Sequence, residues 1–252
     1  MARPDSDVPL DEAALLIAAH DHSVDIAAEL RLLDELAAQV PNGADALELA
    51  HFLFVEARFA GNSIDYEDPR NSYLDDVLHR RLGIPITLSV VMLEVGRRCG
   101  LALDGVGMPG HFLVRTRASS ANDASYFDPY HGGARLDAEG CRERFVKVHG
   151  ATGFRDSYLD PVGPHAIVTR MLANLTRTFL RRDPRSAIWA LRLRLRVPGV
   201  ALAERREAST LLGALGRFDE AADELQRLAE EGGLAESEEL RQAAAHLRGR
   251  AN

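Results

Sequence analysis

Two side chains in the middle of this chain are spaced for proton transfer. His111, in the segment P-G-H-F-L-V-R, opens a predicted strand, and Asp128 stands near the end of the next apolar-alternating run, Y-F-D-P-Y-H. If the two segments pair as neighbouring strands, imidazole and carboxylate face each other. The carboxylate would then fix the tautomer and leave the ring free to move a proton. An acyl-transfer site also needs a nucleophile, and the favourable seat for one is a helix N-terminus, where exposed amides and the dipole lower a thiol's pKa. The helix that precedes the strands, predicted from Pro85 to Cys99, starts G-I-P-I-T-L-S and has no cysteine there. Of the two cysteines in the chain, Cys99 falls at the C-terminal end of that helix, where the dipole disfavours a thiolate, and Cys141 follows the strands altogether.

Thr87, and after it Ser89, are the hydroxyls that could stand in for the thiol, with Thr87 nearer the amino end. The competing reading has both bonded back to a carbonyl one turn earlier as helix-interior residues. His111 also has two readings, as a structural lock on Asp128 or a backbone carbonyl and as a ligand contact. Asn62, Asp65, Tyr66, Asn71, Ser89 and Arg115 supply further polar groups for a cleft, although Asn62 and Asn71 equally suit turn and cap chemistry.

The elements that must hold these residues are read from periodicity and punctuation. Helices are predicted over Leu10 to Ala19, Ser23 to Val40 and Asp45 to Ala60, with Asp11 and Ser23 as caps and P-N-G at 41–43 as a turn. The turn-rich N-S-I-D-Y-E-D-P-R-N leads into a short helix from Asn71-Ser72 through Arg81, ended by Gly83. Pro85 suits the first turn of the next helix, whose apolar residues lie nearly all round and make it a central, buried one. Beyond Gly100 the period falls to two: Val106 to Met108, His111 to Thr116 and Ser125 to Tyr130 read as an antiparallel meander, and Asp137 caps a helix into Phe145. From about Pro161 the chain is helical again, over His165 to Arg181, Pro184 to Arg196, Ala201 to Leu215, Phe218 to Glu231 and Glu236 to Leu247. The fold class is therefore α+β followed by helical hairpins. Within the tail, L-L-G-A-L-G-R-F-D-E-A-A-D-E-L looks like the turn and second helix of a tetratricopeptide repeat, with Gly216 at the bend, Phe218 as wedge and Ala221 at the close contact.

Composition narrows the function classes. The 252 residues are 46% apolar and 27% charged, as in globular proteins, and no stretch of about 20 apolar residues spans a bilayer. The opening M-A-R-P-D-S-D carries no apolar h-region, so a cytoplasmic protein is expected. A net charge of -8 argues against nucleic acid as partner, and the Arg192, Arg194 and Arg196 run is read as ringing a helix beside acidic neighbours. No C-x-x-C or Cys/His cluster has zinc spacing, and His131, His149 and His165, with no helical or hairpin spacing that brings ligands together, are read as surface or satisfied core residues, so no metal and no cofactor is expected.

The motifs F-A-G-N, N-S-Y-L-D-D-V-L-H-R-R-L-G-I-P-I-T-L-S, G-M-P-G-H-F-L-V-R and F-D-P-Y-H-G-G resemble the bacterial SirB/YchA family, which joins a transglutaminase-like domain of the papain-like superfamily to a tetratricopeptide-like tail. The similarity runs from the first helices to about Glu231. It implies a transglutaminase-like domain with its N-terminal helices over residues 1–160 and a tetratricopeptide-like region over 161–252. His111 and Asp128 match the superfamily's His and Asp, and the absent cysteine leaves Thr87 as third member of a degenerate triad. The expectation is a cytoplasmic binding or regulatory pseudoenzyme whose tail takes a protein or peptide partner. The rival expectation is an amide or ester hydrolase or acyl transferase using Thr87 or Ser89 with His111 and Asp128.

Overall fold

A single apolar helix, α5 (Pro85–Arg98), forms the centre of the first part of the molecule, and the computed structural model shows every residue from Pro85 to Gly96 buried. The structure describes residues 5, 8–118, 120–121, 123–150, 152–231 and 234–251. Pro85 opens the helix, where its missing N–H costs nothing because the first four amides lack helical partners anyway. Its one buried acid, Glu94, is held by Arg97 at 2.8 Å and Arg98 at 3.1 Å, and Arg98 also binds Asp11 at 2.7 Å. Asp11 is thus an ion-pair residue inside α1 (Leu10–Asp21), and Pro9, not Asp11, precedes that helix.

The chain divides into two compact units, Met1–Met171 and Leu172–Asn252. In the first, α1, α2 (Ile26–Gln39) and α3 (Ala46–His51) come before the central helix. The cap of α2 is Asp25, which accepts from the Ala28 N–H at 3.0 Å, two residues beyond the predicted Ser23. The predicted helix from Asp45 to Ala60 is shorter in the structure. It passes into a π-turn at Phe52–Glu56, and Ala60–Gly61 (β1) then pairs in parallel with Leu82–Gly83 (β2). Between them lies α4 (Leu74–Arg80), closed by Arg81 at φ 59°, two residues before the predicted Gly83.

A five-stranded antiparallel sheet covers α5. Its strands are β3 (Leu103–Val106), β4 (Leu113–Thr116), β5 (Tyr126–Asp128), β6 (Ala134–Leu136) and β7 (Pro161–Val162), in the order β6-β5-β4-β3-β7. β4 and β5 are neighbours, with Val114 opposite Phe127 and Arg115 opposite Tyr126, which is the pairing the His–Asp reading requires. α6 (Ala138–His149), capped by Asp137 as predicted, closes one face over Val106, Met108, Leu113, Tyr126, Cys141 and Phe145.

α7 (Pro164–Arg182) carries the chain across the division, and the second unit continues with α8 (Ala187–Arg194), α9 (Leu202–Ala214), α10 (Phe218–Glu231) and α11 (Leu234–Ala251). Ala222, Leu225, Leu228 and Ala229 of α10 form one core with Leu240 and Ala244, while Ala221 packs with Leu191, Ala208 and Leu212. The arginine run has acidic neighbours: Arg192 meets Glu220 at 2.7 Å and Arg194 meets Glu207 at 3.0 Å. None of the described helices is long and apolar enough to cross a membrane.

A joint between α1 and α4 gives the fold a pH-dependent element. His22 Nε2 lies 2.7 Å from Asp75 Oδ2, with its ring edge-on to Tyr73. Burial is the largest influence on this imidazole and pushes its pKa down, but the Asp75 hydrogen bond and the charges of Asp75, Asp76 and Asp21 outweigh it and leave the pKa raised. A raised folded value means a contribution present in full below the unfolded value of about 6.5 and lost as pH rises through the folded one. The stability of the wild type over His22→Gln, read from urea midpoints, is therefore expected to shrink between pH 5.5 and pH 8.5. A pH-independent difference would count against the ion pair.

Candidate functional site

The segment between β3 and β4 is a tight turn that aims His111. The His111 N–H donates to the Met108 carbonyl at 3.0 Å, and Gly110 sits at φ 73° where a Cβ would lie 2.6 Å from the His149 ring. Both the left-handed backbone and the close approach require glycine there. Arg170 of α7 donates to the carbonyls of Met108 and His111 at 2.8 and 2.7 Å and so clamps the turn from outside.

Asp128 ends β5 and is 0% exposed. Its Oδ1 lies 2.8 Å from His111 Nε2, and its Oδ2 lies 2.8 Å from His131 Nδ1 and 3.2 Å from an Arg144 guanidinium nitrogen on α6. It also caps the short 3₁₀ turn Pro129–His131 by accepting from the His131 N–H at 3.2 Å. His111 Nε2 faces the carboxylate at 2.8 Å without an aligned hydrogen bond. Burial, the strongest influence on Asp128, favours the neutral acid, but His111, His131 and Arg144 together hold its pKa below the ordinary carboxylate value.

His131, read from the sequence as a surface or satisfied residue, is half-exposed and is brought by its turn to the Asp128 carboxylate. The Asp-Pro turn folds its ring back onto the carboxylate three positions earlier, and the rings of His111 and His131 are 5.5 Å apart. Tyr130 stands edge-on to both imidazoles, and its hydroxyl donates to the Asn62 carbonyl at 3.3 Å. Gly61 makes that approach possible, because a Cβ there would lie 2.6 Å from the Tyr130 carbonyl oxygen. The F-A-G-N and D-P-Y-H-G-G motifs are thus two sides of one contact.

The candidate nucleophiles are committed elsewhere. The Thr87 hydroxyl is 0% exposed, donates to the Asn71 carbonyl at 2.6 Å and accepts from the Ile84 N–H at 3.2 Å. Ser89, also 0% exposed, donates to the Pro85 carbonyl at 2.8 Å. Cys99 is the C-cap of α5, and burial raises its thiol pKa. Cys141 lies near Asp128 yet sits fully buried in the α6 core, and burial, followed by the charges of Asp128 and Asp137, pushes its pKa up to about 12. At neutral pH it is a thiol, which is the unreactive form.

The polar residues expected to line the cleft separate into two groups. Asn62, Asn71 and Tyr66 belong to one loop beside Tyr130: Asn62 Nδ2 donates to Asn71 Oδ1 at 3.0 Å, Asn71 Nδ2 donates to the Asp65 carbonyl at 2.7 Å, and the exposed Tyr66 ring meets Tyr130 edge-on at 5.9 Å. Arg115 is buried at the other end of β4, donates to the Leu159 carbonyl at 3.3 Å and lies 3.9 Å from Asp104.

The model of the transglutaminase-like superfamily matches residues 22–173. The chain belongs to that superfamily. The UPF0162 protein of Xylella fastidiosa (strain Temecula1) is 36% identical over 239 residues, covering 88% of this chain and 84% of its own length. A UPF0162 protein of Pseudomonas aeruginosa is 35% identical over 66% of this chain and 63% of its own. F-box only protein 21 of Mus musculus is 37% identical over 131 residues, which are 50% of this chain and 20% of the mouse protein. No solved structure matches the chain. In this chain Pro85 stands at the head of α5, and His111 and Asp128 lie 2.8 Å apart.

Proposed function

We propose that the protein is a cytoplasmic binding or regulatory member of the transglutaminase-like superfamily, of the SirB/YchA kind, in which the acyl-transfer site has become a pseudoenzyme cleft. The observation that carries this reading is that both hydroxyls near the start of α5 are fully buried and donate to backbone carbonyls, while the thiol nearest Asp128 is buried and protonated. A hydroxyl nucleophile must be within hydrogen-bond reach of its base and open to substrate, and neither Thr87 nor Ser89 is open. His111 and Asp128 then serve recognition, with Tyr66, Tyr130 and His131 at the rim. The tail from α7 onward, whose helices follow one another as hairpins with Gly216 at a bend, is in this reading a tetratricopeptide-like region that takes a protein or peptide partner.

Intact-mass labelling of the native protein with a fluorophosphonate, a β-lactone and iodoacetamide tests the reading. No adduct is expected at Thr87, Ser89 or Cys141, and Cys141 should alkylate only after unfolding in urea. An adduct at any of the three that His111→Ala abolishes would restore the hydrolase or acyl-transferase reading.

A further inference from the structure

We propose that His111, Asp128 and His131 form a binding site for one divalent transition-metal ion of the zinc type. This rests on the reading above that the cleft binds and does not transfer acyl groups, and it supplies a ligand class for that cleft. Each of the three residues offers one donor atom, and these atoms all lie within 4.8 Å of one another. Two imidazoles and one carboxylate are the donor set that zinc accepts, with metal–ligand bonds of about 2.0–2.2 Å and hence donors about 3.3 Å apart in a tetrahedral site. His111 Nε2 lies 2.8 Å from Asp128 Oδ1 and His131 Nδ1 lies 2.8 Å from Asp128 Oδ2, so the imidazoles flank the carboxylate one at each oxygen, and an ion bound by one of these oxygens needs the farther imidazole to close on it.

An independent observation points the same way. His111 Nε2 is buried, faces the Asp128 carboxylate and has no aligned hydrogen bond. Its side chain is 10% exposed, so water has little room to satisfy the nitrogen, whereas an ion between it and the carboxylate would. The surroundings hold the donors in place as outer partners do in metal sites: Arg144 and the His131 N–H fix the carboxylate, Tyr130 edges both rings, and Arg170 clamps the His111 carbonyl. The positive charge of Arg144 cancels that of Asp128, which favours exchangeable binding over a permanently held structural ion. His131 is 48% exposed and opens the ion to solvent, leaving a fourth position for water or an external ligand.

The other His–Asp grouping, His22 with Asp75 and Asp76, is less suited. Asp75 and Asp76 are explained as first-turn acids of α4, and no nitrogen of His22 is buried without a partner as His111 Nε2 is.

Full-length protein stripped with a chelator and titrated with Zn²⁺ by calorimetry, and with Co²⁺ by visible absorption, tests the site. One ion per chain is expected, with a cobalt spectrum of tetrahedral nitrogen and oxygen ligation. His131→Ala, a change at a rim residue whose folding is checked by circular dichroism, should weaken Zn²⁺ binding at least about tenfold, while His22→Gln should leave it unchanged. No binding by the wild type, or equal binding by His131→Ala, overturns the inference. Absence of zinc binding together with absence of acyl-probe adducts removes the metal site alone, whereas a His111-dependent adduct removes the binding reading itself.

Discussion

Asp128→Ala is expected to lower the stability of the protein by about 3–5 kcal/mol, the range seen when one partner of a buried charge cluster is deleted. The carboxylate is 0% exposed and is met by His111, His131 and Arg144, besides capping the turn at residues 129–131. Its removal strands the Arg144 guanidinium and the His111 nitrogen in a poorly solvated place and frees the turn that carries His131. Asp128→Asn keeps the size and the cap acceptor, so it should lose less, about 2 kcal/mol. Because the folded pKa of Asp128 is lowered, its contribution is present above the unfolded value of about 3.9 and is lost as pH falls through the folded value. The gap between wild type and Asp128→Asn in urea midpoints, at unchanged m-value, should thus hold from neutral pH to about pH 4 and close below it. A loss below about 1 kcal/mol for Asp128→Ala would mean that the cluster is solvated and only surface-deep.

Local chemistry explains which parts of this site the sequence reveals. The alternation in His111 to Thr116 and Ser125 to Tyr130 is a period-two signal, and two such runs joined by a polar loop pair as neighbours, as β4 and β5 do. α5 is legible because Pro85 marks its start and its apolar residues leave no polar face. Of the two readings of Ser89, as a stand-in nucleophile and as a helix residue bonded back one turn, the second describes its hydroxyl, which donates to the Pro85 carbonyl. Thr87 is only partly legible. Its hydroxyl reaches the Asn71 carbonyl, a partner 16 positions away that no local rule supplies.

The rest depends on contacts distant in sequence or on turn geometry. His131 joins Asp128 through a turn after an Asp-Pro pair, so its ring direction is set by backbone dihedrals and not by any strand or helix period. The helix predicted to Ala60 stops early because Ala60 and Gly61 pair with Leu82 and Gly83, and the apolar F-L-F-V before them contains no stop signal. Arg115 lies on the same strand segment as His111, yet strand direction carries it away from the turn to the Leu159 carbonyl. Hydrophobic periodicity therefore finds the scaffold of this superfamily, while the distinction between a thiol enzyme and a binding cleft lies in a few side-chain partners.

Asn71→Ala should be the second most damaging change, at about 3 kcal/mol, and should loosen the loop beside the His–Asp cluster selectively. The residue is 0% exposed, and its amide donates to the Asp65 and Tyr66 carbonyls at 2.7 and 3.3 Å while accepting from Asn62 at 3.0 Å. Alanine removes all three bonds from a site that water does not reach freely, and each buried group left without a partner costs about 1–3 kcal/mol. Thr87 donates to the Asn71 backbone carbonyl, which the substitution retains, so the start of α5 should stay in place. The Ile64 and Asp65 amides, now held by the Asn62 side-chain oxygen at 3.2 and 3.1 Å, should exchange with deuterium faster, because the Asn62 side chain loses its anchor. Amides in α5 should accelerate only as far as the global loss of stability requires. If the loop amides and α5 accelerate equally, Asn71 is a general core residue. A difference confined to 62–68 would establish that this loop, which carries Tyr66 against Tyr130, is fastened to the domain chiefly through one buried amide.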